Sequence, residues 1–336
     1  MPVNVVPASC DPASAPVALF DASHGQPNWA QTGFTSRQLD TNFAGLTEQL
    51  CRLGFRCQAT DRRPLSDYLQ GTRLLVIPPP TGRYNAKKEQ WRPLATSLFS
   101  AGEVRDVLAF LQEGGRVLAF GYRFGDSFTQ TNLGELLAPL GCMLNDDAVI
   151  DLHELRTVPP LQLHFDTQRD AFRLPWAVAG VTLVRWRPVA TFTILPRSTV
   201  WPLALSAGGT CISFNRTLRQ ISFESLPIAV AGEHGRGKFV LVGGPHVFET
   251  GMYGLLNTAD NTRFLANVLR WLLSDQTTRQ TILGCESNSA QLQTGFASEF
   301  SRIVPSGEGE RTVAYVERVL RRTGVLKALN QAKWLP

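Results

Sequence analysis

Arg116-Val117-Leu118-Ala119-Phe120-Gly121-Tyr122 decides how this chain is read. The stretch follows a helical pattern from about Gly102 to Gln112, with Val104, Val107, Leu108 and Leu111 on one face, and a Gly114-Gly115 stop. Helix, glycine stop and apolar strand is the grammar of an open α/β sheet. In such a sheet the sharp turn leaving a strand is where a nucleophile sits. This chain offers Gly121, Tyr122 and Arg123 there, and none of them supplies a thiolate. The architecture is therefore easier to read than the chemistry.

The same grammar extends towards the N-terminus. Val17 to Phe20 reads as a short buried strand, ended by Asp21-Ala22-Ser23-His24-Gly25. Asp40 or Thr41 is placed to cap a helix that turns Phe43, Leu46, Leu50 and Leu53 inward, with Gly54 as its stop. Phe55 to Cys57 and Arg73 to Ile77 read as strands, the second closed by Pro78-Pro79-Pro80. Thr81 to Ser100 reads as a long basic loop carrying Arg83, Lys87, Lys88 and Arg92. Beyond the central stretch, Asn132 to Leu140 is a short helix stopped by Gly141.

From about residue 151 to 233 the texture changes to short alternating runs between Pro and Gly, such as Thr182 to Trp186, Ala190 to Ile194, Cys211 to Phe214 and Ile228 to Val230. These read as antiparallel strands added to the sheet. The α/β pattern returns with Lys238 to Val242 and a helix capped by Asp260, turning Phe264, Leu265, Val268, Trp271 and Leu272 inward. The predicted organisation is a loose arm over residues 1–16, one doubly wound, mostly parallel α/β domain over 17–275 with a β insertion at about 151–233, and a helical C-terminal extension over 276–336. Within that extension Glu310 to Arg322 has a helical pattern with Val313, Val316 and Leu320 on one side, and its surroundings are basic.

Composition sets the limits. Hydrophobic residues at 43% and charged residues at 18% describe a folded globular protein. A net charge of +5, from 33 basic and 28 acidic residues, permits an acidic partner without demanding one. Sparse aromatic interleaving in the basic stretches argues against nucleic acid. The six cysteines, Cys10, Cys51, Cys57, Cys142, Cys211 and Cys285, are scattered without a C-x-x-C pair and read as thiols of a reducing compartment. With no signal-peptide pattern at the start and no apolar run of membrane-crossing length, the chain reads as cytoplasmic.

Several pieces in order resemble class I glutamine-amidotransferase-like domains of the GIFT type, found in gliding-associated transporter subunits and an intraflagellar-transport subunit. The pieces are Phe20-Asp21-Ala22-Ser23-His24, Asn28 to Ser36, Ile77 to Pro80, Glu113 to Leu118, Thr131 to Leu137, Gly141 to Ile150 with Asn145-Asp146-Asp147, Gly235 to Val242, and Asp260-Asn261 with Asn267 to Leu272. The resemblance implies a flavodoxin-like sheet and a binding or scaffolding domain that has lost the amidotransferase cysteine. Unlike the transporter relatives, this chain carries no membrane segment, which puts a transport role in doubt.

Ligands of open parallel sheets bind beyond the carboxyl ends of the strands. Those ends carry Asp21, Ser23 and His24; Thr81 and Arg83; Tyr122, Arg123 and Asp126; and Gly243, Gly244, His246 and Glu249. Asp21, His24, Tyr122, Arg123, Asp126 and His246 are the expected ligand-binding residues, with histidine able to donate or accept and Arg123 suited to a carboxylate or phosphate. No catalytic residue, cofactor or metal is assigned. The expected function is recognition of a small polar ligand, such as a sugar or acidic metabolite, or service as an assembly subunit, with homo-oligomerisation left open. The alternative is an enzyme of another class, hydrolase-like, using His24 with Asp21, or a metal held by His153, His164 and His246. The glycine pairs near residues 235–244 lack the strand–loop–helix context of a dinucleotide or P-loop site.

Overall fold

The computed structural model describes residues 15–24, 43–80, 83–85, 90–92, 95–151, 163–207, 211–215, 220–222, 224–250 and 254–275. Among them, seven strands make the main sheet: β1 (Val17–Asp21), β2 (Arg56–Thr60), β3 (Thr72–Ile77), β4 (Arg116–Phe120), β5 (Val200–Leu205), β6 (Pro227–His234) and β7 (Gly237–Val242). Their order is β5-β6-β7-β4-β3-β1-β2. The strands β2, β1, β3, β4 and β7 run parallel; β6 pairs antiparallel with β7, and the edge strand β5 pairs antiparallel with β6.

The central strands β1, β4 and β7 are buried along nearly their whole length because helices cover both faces. The helices are α1 (Ala44–Arg52), the short α2 (Ser66–Leu69), α3 (Ala101–Gln112), α4 (Gly125–Thr129), α5 (Leu133–Leu137) and α6 (Asn261–Leu273). Side chains alternate along each strand with period two. Phe20, Leu118, Phe120, Val240 and Val242 point into the core shared with Leu46 and Leu50 of α1 and Phe264 and Val268 of α6. Leu19, Val117, Ala119, Phe239 and Leu241 point into the other core, shared with Val107 and Leu111 of α3 and Leu133 and Leu136 of α5. This is the expected doubly wound α/β fold.

Some expectations are corrected. Of the antiparallel runs, only β5 and β6 join the main sheet. Residues 165–168 pair with 183–186, residues 142–144 with 192–194, and residues 147–151 and 220–222 flank 211–215, each in a small separate sheet. Alternation in the sequence specifies a strand and its faces but not its partner. The basic loop contains a hairpin, Arg83–Asn85 against Gln90–Arg92. Leu53 follows the last turn of α1 and is 52% exposed, lining a groove of about 340 Å³ between α1 and α6 with Phe55, Leu269 and Leu273. Asp260 precedes α6 without capping it: its Oδ2 accepts from Thr182 N (2.8 Å), Thr182 Oγ1 (2.7 Å) and Leu183 N (3.2 Å), and so ties α6 to the insertion. Asp40, Thr41, the N-terminal arm up to residue 14 and the extension from residue 276 lie outside the described residues.

At the amino edge of the sheet, two buried cations hold the end of α6. Lys238 Nζ donates to Trp271 O (3.3 Å), Ser274 O (3.1 Å) and Ser274 Oγ (2.8 Å), and Arg116 Nη2 donates to Ser274 O (3.3 Å). These meet the carbonyls that a helix terminus leaves unpaired. Burial, then the Arg116 charge, brings the Lys238 pKa down to about 8. No helix among the described residues is long and apolar enough to cross a membrane.

Phe264 is fully buried and packs against Phe172, Trp186 and Phe248 at ring separations of 5.2, 6.0 and 5.4 Å. Phe264→Ala is expected to lower the unfolding free energy by about 3–5 kcal/mol, read as a drop in denaturant midpoint at unchanged slope.

Candidate functional site

All five parallel strands end at one edge, and strand order reverses between β1 and β3. The turn after β1 is built on Asp21, which is fully buried. Asp21 Oδ1 accepts from Ser23 N (2.8 Å) and Ser23 Oγ (2.7 Å), and Oδ2 lies 2.6 Å from His24 Nδ1. A carboxylate on Nδ1 sets the orientation of the ring and its tautomer. The imidazole, also buried, stacks on Phe99 with centroids 3.8 Å apart. Its Nε2 has no hydrogen-bond partner among the described residues and sits 3.7 Å from Glu103 Oε2.

Glu103 reaches this position because it closes a capping box at the start of α3. Ser100 Oγ accepts from Glu103 N (3.2 Å), and Glu103 Oε2 accepts from Ser100 N (3.0 Å). Arg63 grips the same carboxylate with two nitrogens, Nε at 2.6 Å from Oε1 and Nη2 on Oε2. Burial alone would raise the Glu103 pKa. The Arg63 guanidinium, then the Ser100 amide and hydroxyl, outweigh it and hold the group at about 2.

The turn after β4 runs from Gly121 to Phe124 before α4 begins. Gly121 N bonds to Val242 O at 2.8 Å, prolonging the β4–β7 pairing. Tyr122 and Arg123 follow, both buried, with the guanidinium 4.5 Å above the Tyr122 ring. The strained residue is the next one: Phe124 has φ 62° and ψ 16°, a left-handed conformation that disfavours side chains with a Cβ. Its N–H donates to Asp147 O at 2.6 Å, and its ring meets Phe128 and Phe214 edge-on at 5.5 and 6.4 Å. Gly121, Tyr122 and Arg123 open this turn, and its left-handed residue is Phe124. Asp126 serves the start of α5. It accepts from Thr131 Oγ1 (2.7 Å), Leu133 N (3.1 Å) and Gly134 N (2.6 Å), with burial raising its pKa against those bonds.

After β7 the backbone passes so close to the insertion that a Cβ on Gly243 would come within 1.9 Å of Ala190 O. Residues 245–247 form a 3₁₀ turn that delivers His246, 2% exposed. Its Nδ1 is 2.5 Å from Glu249 Oε2, and its buried Nε2 has no hydrogen-bond partner among the described residues. The ring stands edge-on to Tyr122 at 6.3 Å. Burial, then the charges of Arg187 and Arg123, hold its pKa well below the ordinary 6.5.

The expected residues thus share one edge but fall into separate groups. Tyr122, Arg123 and His246 stand together with Arg187 and Glu249. Asp21 and His24 stand with Ser23, Phe99, Glu103 and Arg63. Three strand spacings, roughly 14 Å, separate the ends of β1 and β7. Glu103 was legible in the S-x-x-E pattern at Ser100-Ala101-Gly102-Glu103, whereas no local signal pointed to Arg63 or Arg187. Thr81, His153 and Glu154 lie outside the described residues, and Arg83 opens the hairpin. Asp166 forms a two-pronged pair with Arg185 at 2.8 and 2.9 Å. The described residues hold no group of three or more side chains able to bind a metal. Of the four described cysteines, none lies in the turns leaving this edge; burial pushes the Cys142 thiol up to about 12 and Cys57 up as well.

No family model matches the chain, and no curated protein matches it. Among solved structures, the mmIFT52 N-terminal domain is 21% identical with a TM-score of 0.56, over 76% of this chain and 97% of that one. At that identity the likeness shows a shared fold. A ThuA-like protein from Bacteroides uniformis ATCC 8492 (13% identical, TM-score 0.40, 81% of this chain and 98% of that one) is a looser match. So is the cytoplasmic protein STM1381 from Salmonella typhimurium LT2 (15% identical, TM-score 0.43, 76% and 99%).

The depressed pKa of Glu103 makes stability depend on pH. The contribution is complete above the ordinary 4.5 and is lost as pH falls through about 2. Denaturant melts between pH 5 and pH 2 are expected to lose about 2–3 kcal/mol from this group. Glu103→Gln is expected to be less stable at neutral pH and to show a flatter acid limb.

Proposed function

We propose that this chain is a non-catalytic binding domain on an amidotransferase-like scaffold, recognising a small polar ligand or serving as an assembly subunit, and forming no thioester. The observation that carries this reading is the turn after β4. It carries Gly121, Tyr122, Arg123 and a buried phenylalanine in the left-handed region, and none of them supplies the thiolate that thioester chemistry needs. The resemblance to GIFT-type domains and the shared fold with the mmIFT52 N-terminal domain support an assembly role. Asp21, His24, Tyr122, Arg123, Asp126 and His246 remain the ligand-binding residues of this reading, in a cytoplasmic setting.

A second reading has one observation in its favour. His24 is oriented by Asp21 at 2.6 Å and keeps Nε2 without a partner among the described residues, as a general base requires. It would make the chain an enzyme of another class, such as a hydrolase.

The purified protein incubated with glutamine is expected to release no glutamate, and turnover above buffer would overturn the first reading. Thermal-shift screening with sugars, nucleotides and carboxylates tests the ligand half. A stabilising ligand is expected to lose affinity in His24→Ala or Arg123→Ala, and unchanged affinity in both would remove the proposed site. Turnover of a screened ester or glycoside, abolished by His24→Ala and kept by His246→Ala, would favour the second reading.

A further inference from the structure

The groove between α1 and α6 is open and its lining is largely apolar, with Leu53, Phe55, Leu269 and Leu273 along it. Leu53, 52% exposed, and Met143 are the exposed large apolar side chains among the described residues. An isolated surface leucine is ordinary. One that continues a row of apolar positions shared by two helices has the geometry that receives the apolar face of a third. Two exposed arginines also line the groove, Arg52 of α1 and Arg270 of α6. Arg52 pairs with Glu48 of its own helix on the open surface, and Arg270 Nη1 donates to Asn267 Oδ1 at 3.1 Å. Such surface contacts contribute little, and a guanidinium has donors to spare, so each arginine can take a further partner.

Ser274 lines the groove as well, so the chain beyond Asp275 sets out beside it. That chain contains the helical pattern at residues 310–322. Wound at about 3.6 residues per turn, Val313, Val316 and Leu320 form one stripe. Glu310 and Glu317, about two turns apart, border the stripe on one side with Arg321 next to them, while Arg311, Arg318 and Arg322 fall opposite. The stripe suits the apolar lining, and its acidic border suits Arg52 and Arg270. Residues 276–309 connect the two. Even as a random coil, a connection of that length has a root-mean-square span of about 30 Å, and tethering of this kind supplies an effective concentration in the millimolar range.

We propose that the groove between α1 and α6 is the docking site of this chain's own residues 310–322, taken up as an amphipathic helix. Val313, Val316 and Leu320 cover Leu53, Phe55, Leu269 and Leu273, and Glu310 and Glu317 turn towards Arg52 and Arg270. The C-terminal extension is then packed against the α/β domain as part of it. This face is distinct from the edge where the parallel strands end, and the inference stands independently of the binding-domain reading.

The test is made on the full chain. A photo-crosslinking benzoylphenylalanine placed at Leu53, in a mixture of isotope-labelled and unlabelled chains, is expected to link to residues 310–322 of the same chain. Hydrogen exchange gives a second readout. Leu53→Asp changes an exposed position and is expected to speed amide exchange across residues 310–322 by about tenfold or more, leaving β4 and β7 as protected as before. Arg270→Glu is expected to speed exchange there too, and adding Glu317→Arg to restore protection. Cross-links to a second copy or to another segment, exchange at residues 310–322 unmoved by Leu53→Asp, or a double variant no better protected than Arg270→Glu would each overturn the proposal. If a variant loses the protection of β4 and β7, and so its fold, the cross-link decides alone.

Discussion

One buried aspartate, Asp147, joins the central turn of this protein to its antiparallel half through its carboxylate and its backbone carbonyl. Asp147 accepts hydrogen bonds from Thr191 N (2.8 Å), Thr191 Oγ1 (2.6 Å) and Ser213 Oγ, and its own backbone carbonyl receives the Phe124 N–H. Burial raises its pKa and these donors oppose the rise. A buried carboxylate is tolerated only when its lone pairs are met. Here the donors come from two separate parts of the insertion, so the charge specifies where the small sheets sit. The Asp147 backbone carbonyl helps to hold Phe124 in a conformation that a free chain would leave.

Phe124 thus holds a left-handed conformation at the centre of a packed aromatic cluster. Its ring packs against Phe128 and Phe214. Around that residue the edge is polar but closely packed, with each histidine fixed by a carboxylate three positions away. The two arrangements are not equivalent. His24 belongs to a network that pins α3 through Glu103 and Arg63, while His246 stands among guanidinium groups and an aromatic edge.

The strands and the two-sided burial were legible because local pattern dictates them. Val117 to Phe120, Val17 to Phe20 and Phe239 to Val242 have no polar side to turn outward, and Gly54, Gly114 and Gly141 mark stops with positive φ. The candidate edge was legible in outline, since the residues ending each parallel strand can be read directly. Its division into groups was not, because strand order is a long-range property absent from any window of sequence. The same holds for Arg63 and Arg187, which reach their carboxylate and imidazole neighbours from distant segments. Asn145-Asp146-Asp147 stood out in the sequence, but the partners that give Asp147 its role lie 44 and 66 residues away.

The cation pair beneath α6 has a geometric consequence. Arg116 and Lys238 open β4 and β7, so Asp275 departs from the rim opposite the turns that carry Phe124 and His246. Anything tethered through residue 275 would hang below the sheet. A pull applied at residue 275 would therefore reach β4 and β7 at their starting ends, through the Arg116 and Lys238 bonds to Ser274.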